Sequence, residues 1–241
     1  MKFALVCGAS GNIGMAISRR LAEQGWSLYL HYHQHAATVE ELVQELQRQY
    51  PKQDFLMVQA DFRNEAAAEE IDAQIFSLDA IVFAQGTTIY QLFDEFDGTQ
   101  LENLWLEHLK VPLLVIKKLV SKLAEGGHGR IVFIGSVYGA VGSAMEVPYS
   151  MLKGAMSSFV NAYAKEVASL GITVNVVAPG AVQTQMNANF AEDEIEAISE
   201  EIPVGRFAKP DEIAYLVETV LAETASYLTG QTIYVDGGWQ K

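Results

Sequence analysis

Short, nearly continuous apolar runs alternate along this chain with longer stretches of helical period, and that alternation constrains the fold more than any other feature. Runs of this kind suit strands covered on both faces, as in repeated βαβ units around a parallel sheet. Strands are predicted over Lys2–Cys7, Ser27–Tyr32, Phe55–Gln59, Ala80–Ala84, Arg130–Gly135, Thr173–Ala178 and Thr232–Val235. Helices are predicted over Ile13–Gln24, Thr38–Tyr50, Glu65–Phe76, Thr99–Leu123, Tyr149–Leu170 and Pro210–Ala222, with a weaker one over Glu192–Glu201. Thr38 with Glu41 reads as a capping box, and Pro210 before Asp211 and Glu212 suits a first helical turn. No Pro-, Gly- or Ser-rich tract divides the 241 residues, so one α/β domain over 1–241 is expected, with the irregular acidic stretch 183–203 as a lid.

Half of the residues are hydrophobic and 19% are charged, enough to bury a large core without disulfides or a structural metal. The single cysteine, Cys7, has no partner for a disulfide and lies in an apolar run, as a buried thiol in a reducing compartment would. The stretch Met1–Gly8 carries one basic residue and an apolar run too short for a secretory signal or a bilayer span, so a cytoplasmic location is expected. A formal net charge of −14 argues against a nucleic-acid backbone or an anionic membrane as the main partner.

The first strand runs through Cys7-Gly8-Ala9-Ser10-Gly11-Asn12-Ile13-Gly14 into a helix. Gly8 permits a tight turn, and backbone N–H groups at the helix start can meet a pyrophosphate directly. Turns like this also serve as plain connectors, but a place at the first βα junction favours a dinucleotide. The second strand ends in Leu30-His31-Tyr32-His33-Gln34-His35, without the carboxylate that would hold the adenosine ribose of NAD, so NADP(H) is favoured. His33 and His35 are candidate donors to a 2′-phosphate, or else a solvated edge.

At the end of the fifth strand stands Ser136, and thirteen residues later comes Tyr149-Ser150-Met151-Leu152-Lys153. Spacing by four puts Tyr149 and Lys153 on one helical face, where the ammonium is expected to lower the phenol pKa toward working pH. Carbonyl reduction needs such an acid, because hydride arriving at carbon leaves charge on oxygen that must be protonated. Ser136 is expected to supply a second hydrogen bond to that oxygen. A Tyr-x-x-x-Lys pair alone is common by chance. Its conjunction with the strand-end serine, the glycine turn and Pro179-Gly180-Ala181-Val182-Gln183-Thr184 is not.

In these motifs, and in Gly171–Gly180, Ile202–Phe207 and Tyr227–Gly238, the chain resembles the short-chain dehydrogenase/reductase family and is similar to its 3-oxoacyl-acyl-carrier-protein reductases. The resemblance implies a doubly wound, Rossmann-type sheet of seven strands, a homotetramer and NADP(H). Cofactor contacts are implied at Gly8, Ser10, Asn12, Ile13, Gly14, Tyr32, His33, Asp61, Phe62, Ala84, Gly86, Tyr149, Lys153, Pro179, Gly180, Val182 and Thr184. Within that set, Lys153 would bind the nicotinamide ribose, Asp61 the adenine, and Val182 and Thr184 the carboxamide end.

Four departures from the family pattern stand out. Cys7 and Asn12 replace a threonine and a glycine of the turn, Asn being tolerant of left-handed backbone. Phe83-Ala84-Gln85-Gly86 replaces Asn-Asn-Ala-Gly, so that Cys7 and Phe83 read as two polar partners lost together. His108 falls where the family keeps a catalytic asparagine, as a relay with a new pH dependence or as a structural histidine. Gly127 and Leu170 occupy positions where acyl-carrier-protein reductases commonly carry arginines. The Leu30–His33 and Phe83–Gly86 stretches resemble the reductases of elongation factor P 5-aminopentanone, whose substrate is a ketone beside an amine on a protein lysine. The competing reading is a non-catalytic NADPH-binding sensor or scaffold.

Overall fold

The computed structural model describes residues 2–187 and 191–239. All seven expected strands form, each within one residue of its expected ends: β1 (Lys2–Cys7), β2 (Trp26–Tyr32), β3 (Phe55–Gln59), β4 (Ala80–Phe83), β5 (Arg130–Ile134), β6 (Thr173–Pro179) and β7 (Thr232–Val235). They make one parallel sheet in the order β3-β2-β1-β4-β5-β6-β7. Side chains alternate along each strand, so the sheet feeds two cores: Leu5 and Cys7 enter one, Ala4 and Val6 the other. Because the order reverses between β1 and β4, a crevice opens outside the carboxyl ends of those strands, where open α/β sheets place their ligands.

The helices are α1 (Asn12–Glu23), α2 (Ala36–Gln49), α3 (Ala67–Asp72), α4 (Gly98–Trp105), α5 (Val111–Glu125), α6 (Tyr138–Val141), α7 (Val147–Val167), α8 (Glu192–Glu201) and α9 (Pro210–Leu221). Ile17 of α1, Leu42 of α2 and Ile213 of α9 cover one face; Ile71 of α3, Val115 of α5 and Val160 of α7 cover the other. None of these helices is long and apolar enough to cross a membrane.

Two expectations are corrected. The capping box at Thr38 and Glu41 does not form, because Ala36 and Ala37 already start α2 and leave Thr38 inside its first turn. A capping box stands instead at α4, where Asp97 Oδ1 accepts the Gln100 N–H at 2.8 Å and Gln100 Oε1 accepts the Asp97 N–H at 3.0 Å. The helix expected over Thr99–Leu123 is broken by a π turn at Leu106–Lys110. The Val111 N–H reaches back five residues to Leu106, and Pro112 has no N–H to give the His108 carbonyl. At α9 the first turn forms as expected, with Glu212 Oε2 accepting the Lys209 N–H at 2.8 Å.

Cys7 and Phe83 are register partners on β1 and β4, and both are buried. Phe83 also stacks on Phe133, with ring centroids 4.7 Å apart. A stability cycle of Cys7→Thr, Phe83→Asn and the double variant, followed by urea unfolding, is expected to show Phe83→Asn costing about 3 kcal/mol or more. Coupling of at least about 0.5 kcal/mol, with the double variant milder than the sum, is expected for partners in direct contact.

Candidate active site

The crevice begins at the turn after β1. Gly8 has φ +77°, and a Cβ there would lie 2.7 Å from the backbone of Gln85 at the end of β4. Gly14 is held just as closely, since a Cβ on it would come 2.1 Å from the Gly8 carbonyl oxygen. These two glycines bring the start of α1 down onto the sheet edge. Gly11 precedes the helix without any side-chain cap, so the first-turn N–H groups of α1 face the crevice open to an anion. This cradle fits a dinucleotide pyrophosphate. Asn12 is helical rather than left-handed, which corrects the reason given for its tolerance; its Oδ1 accepts the Gln185 N–H at 2.9 Å and ties the turn to the segment after β6. Asn12 and Thr184 line a cavity at this end, Ser10 and Ile13 are half-buried in the turn beside it, and Val182 is buried in a bridge to Ala208.

His31 was not among the expected site residues, yet it holds two sides of this crevice together. It accepts the Gly8 N–H at Nδ1 (3.2 Å), and its Nε2 lies 3.1 Å from the Ala60 carbonyl, which fixes the Nε2–H tautomer. The ring packs on Phe62 at 4.4 Å, so Phe62 and Tyr32 are buried and reach the crevice only through their backbones. Burial lowers the His31 pKa to about 4, against the Ala60 hydrogen bond, which raises it.

Beyond His31 the ends of β2 and β3 meet in a small polar cluster. His33 Nε2 stands 3.5 Å from Asp61 Oδ2, Arg63 Nε donates to Asp61 Oδ1 at 3.2 Å, and Arg63 Nη2 lies 3.4 Å from His33 Nδ1. Desolvation pushes the Asp61 carboxyl up, but the Arg63 backbone and guanidinium hold it below its ordinary value. Arg63 was missed because thirty positions of sequence separate it from His33. The cation absent from the end of β2 arrives from the end of β3. His35 is exposed at the start of α2 and belongs to no part of the cluster.

The polar trio assembles at the other end of the crevice. Just past β5 the Gly135 N–H donates to the Val177 carbonyl at 2.7 Å, and a Cβ there would fall 2.5 Å from Val176; Ser136 follows at the sheet edge. Gly139 of α6 lets that helix rest on the α7 backbone, where a Cβ would meet the Lys153 carbonyl carbon at 2.8 Å. That contact sets Ser136 beside Tyr149, within hydrogen-bond reach of its phenol. Lys153 is 4% exposed and donates from Nζ to the Ile134 carbonyl at 2.7 Å, with Nζ 5.4 Å from the Tyr149 ring centroid.

The expected lowering of the Tyr149 pKa is not found. Burial pushes the phenol well above its usual range; the Ser136 hydrogen bond opposes this, and the charge of Glu146 adds to it. The Lys153 ammonium is spent on Ile134, and burial lowers its own pKa to about 8, against the charge of Glu107.

His108 lies in the π turn with no exposed surface. Its Nε2 is 2.7 Å from the Thr87 carbonyl, so Nε2 carries the hydrogen, and Nδ1 is a buried acceptor without a protein partner. The ring meets Tyr149 edge-on at 5.5 Å, and Gly86 makes room for it, since a Cβ there would be 2.5 Å from His108 Cε1. Burial, aided by the charge of Lys153, lowers the His108 pKa to about 3. The new pH dependence expected of this imidazole is therefore corrected: it stays neutral at ordinary pH. Gln85, also unforeseen, donates from Nε2 at 3.1 Å to the Glu107 carbonyl, which the π turn has freed.

The match to known proteins spans the whole arrangement. A family model described as Enoyl-(Acyl carrier protein) reductase covers residues 8–240. The chain is 40% identical to the uncharacterized oxidoreductase YmfI of Bacillus subtilis (strain 168), over 99% of this chain and 98% of that protein. It is 33% identical to the 3-oxoacyl-[acyl-carrier-protein] reductase FabG of Escherichia coli (strain K12), over 98% and 96%. A blue fluorescent protein from a metagenomic library, solved in complex with NADPH, superposes with a TM-score of 0.92 at 28% identity, over 100% of this chain and 98% of that one. The chain belongs to the short-chain dehydrogenase/reductase family, and it is an oxidoreductase.

Since an unfolded histidine titrates near 6.5 and folded His31 near 4, the unfolded state binds more protons as pH falls below about 6.5. Stability should fall from pH about 6.5 to about 4, with His31 alone contributing about 3 kcal/mol of the loss. His31→Asn, which keeps an acceptor near the Gly8 N–H and does not titrate, is expected to show a smaller drop in urea midpoint between pH 7 and pH 4.

Proposed function

We propose that this chain reduces a ketone to a secondary alcohol with NADPH. The observation that carries this reading is the convergence of Ser136, Tyr149 and Lys153 on the crevice that begins at the Gly8 turn. When bound, NADPH would supply the hydride that the carbonyl carbon receives and would be oxidised to NADP⁺. The Tyr149 phenol donates a proton to the carbonyl oxygen, and the Ser136 hydroxyl hydrogen-bonds that oxygen as charge develops on it. Lys153 holds the nicotinamide ribose and returns a proton toward Tyr149, while His108 supports the relay through Nδ1 as an acceptor. Gly8, Gly14 and the first turn of α1 hold the pyrophosphate, Asp61 the adenine, and Arg63 with His33 the 2′-phosphate.

For substrate we favour a ketone borne beside an amine on a protein lysine, of the elongation factor P 5-aminopentanone type, over a 3-oxoacyl thioester on a carrier protein. Gly127 and Leu170, where a carrier would be gripped, carry no charge themselves, and Gly171, next to Leu170, packs against the Gly127 carbonyl. A net charge of −14 also disfavours an acidic carrier. Phe93, Trp105, Val147 and Met151, exposed around a groove on α4 and α7, support assembly as a homotetramer.

The test is NADPH consumption with an acetoacetyl thioester and with an aminoketone-bearing protein. Turnover of the second is expected; tight NADPH binding without turnover of any ketone would replace the reductase by a sensor. Tyr149→Phe should lower kcat by about 100- to 10,000-fold while NADPH still binds. In the free enzyme, kcat/KM for reduction should fall as pH rises through about 8, where Lys153 loses its proton. His108→Asn should slow the reaction and leave that limb in place, because His108 does not titrate there.

A further inference from the structure

Glu146 stands three residues before Tyr149, at the start of α7, and bridges the two loops that flank the proton donor. Its Oε1 accepts the Thr88 hydroxyl at 2.8 Å from the loop after β4, and its Oε2 accepts the Ser143 hydroxyl at 3.1 Å. The Gln91 N–H donates to the Met145 carbonyl at 2.9 Å and joins the same two loops. Met145, just before it, is held at φ +63°, an unusual conformation for a residue with a side chain. Both of its hydrogen-bond partners are neutral, and no lysine, arginine or histidine is paired with it among the described residues.

A half-buried carboxylate in that position opposes ketone reduction. Negative charge grows on the substrate oxygen and passes to Tyr149, and the field of Glu146 already disfavours the phenolate. An amide of the same shape would keep both hydroxyl bonds without that penalty. The penalty disappears when the substrate itself brings a positive charge to the carboxylate. We infer that Glu146 is a specificity-determining residue that selects ketones carrying a cationic group near the carbonyl. This inference rests on the reductase reading and deepens it: the class of substrate is an ammonium-bearing ketone, met by a carboxylate that Thr88 and Ser143 hold by hydrogen bonds.

The experiment compares two methyl ketones of equal chain length and shape, one ending in a trimethylammonium group and the other in a tert-butyl group, by NADPH oxidation. The wild-type chain is expected to show kcat/KM about tenfold or more in favour of the cation, and Glu146→Gln to bring the ratio to about one. Because any change in Tyr149 acidity acts on both ketones alike, the ratio isolates recognition. Glu146→Asp, which keeps the charge, should retain a ratio between these two, and it decides the matter if Glu146→Gln does not fold, as judged by fluorescence titration with NADPH. Equal use of the two ketones by the wild type, or a preference unchanged in Glu146→Gln, would overturn the assignment of Glu146 and leave the reductase standing. Binding of NADPH with no oxidation by either ketone would overturn the reductase reading, and this assignment with it.

Discussion

The approach of the β1 turn to the end of β4 is the contact from which the rest of the site takes its position. A left-handed Gly8 lies against the Gln85 backbone, leaving no room for a Cβ. From there the contacts run in series: Gln85 to the Glu107 carbonyl, Gly86 to the His108 ring, and His108 edge-on to Tyr149. A sheet whose strand order reverses at this place leaves the crevice open above it, so one steric requirement links the cofactor turn to the proton donor.

Electrostatically, the site is built from groups that burial keeps neutral or barely charged. His31 and His108 each give one nitrogen to a carbonyl oxygen, which assigns their tautomers, and desolvation holds both uncharged. Lys153 is the buried cation among them, stabilised by the Ile134 carbonyl and by the nearby Glu107. A buried cation of this kind is the sort of perturbed group that clusters at functional sites.

Much of this was legible in the chain. The seven strands could be read to within a residue because burial on both faces demands apolar runs, and such runs end abruptly at polar or glycine residues. The glycine turn and the Ser136, Tyr149 and Lys153 trio were legible because their chemistry depends on local spacing: four residues along a helix, or the first residues after a strand. What failed was whatever carried no signal of its own in the local pattern or depended on a neighbour distant in sequence. Thr38 looked like a cap because alanines before it carry no visible start signal. The long helix hid its break at Pro112, where the lost N–H acts on a carbonyl four residues back and the π turn accommodates it.

By itself, the sequence determined the parallel α/β class, the place of the glycine turn and the helical pairing of Tyr149 with Lys153, since each is a property of period or short spacing. Tertiary structure alone decided how those residues behave. It turned Lys153 toward Ile134, buried Tyr149 so that its phenol rises, and made His108 a neutral acceptor. It also carried Arg63 to His33 across thirty positions and set the Glu146 carboxylate between two loops. Desolvation and through-space charge depend on packing, and packing is fixed only when distant segments of the chain meet.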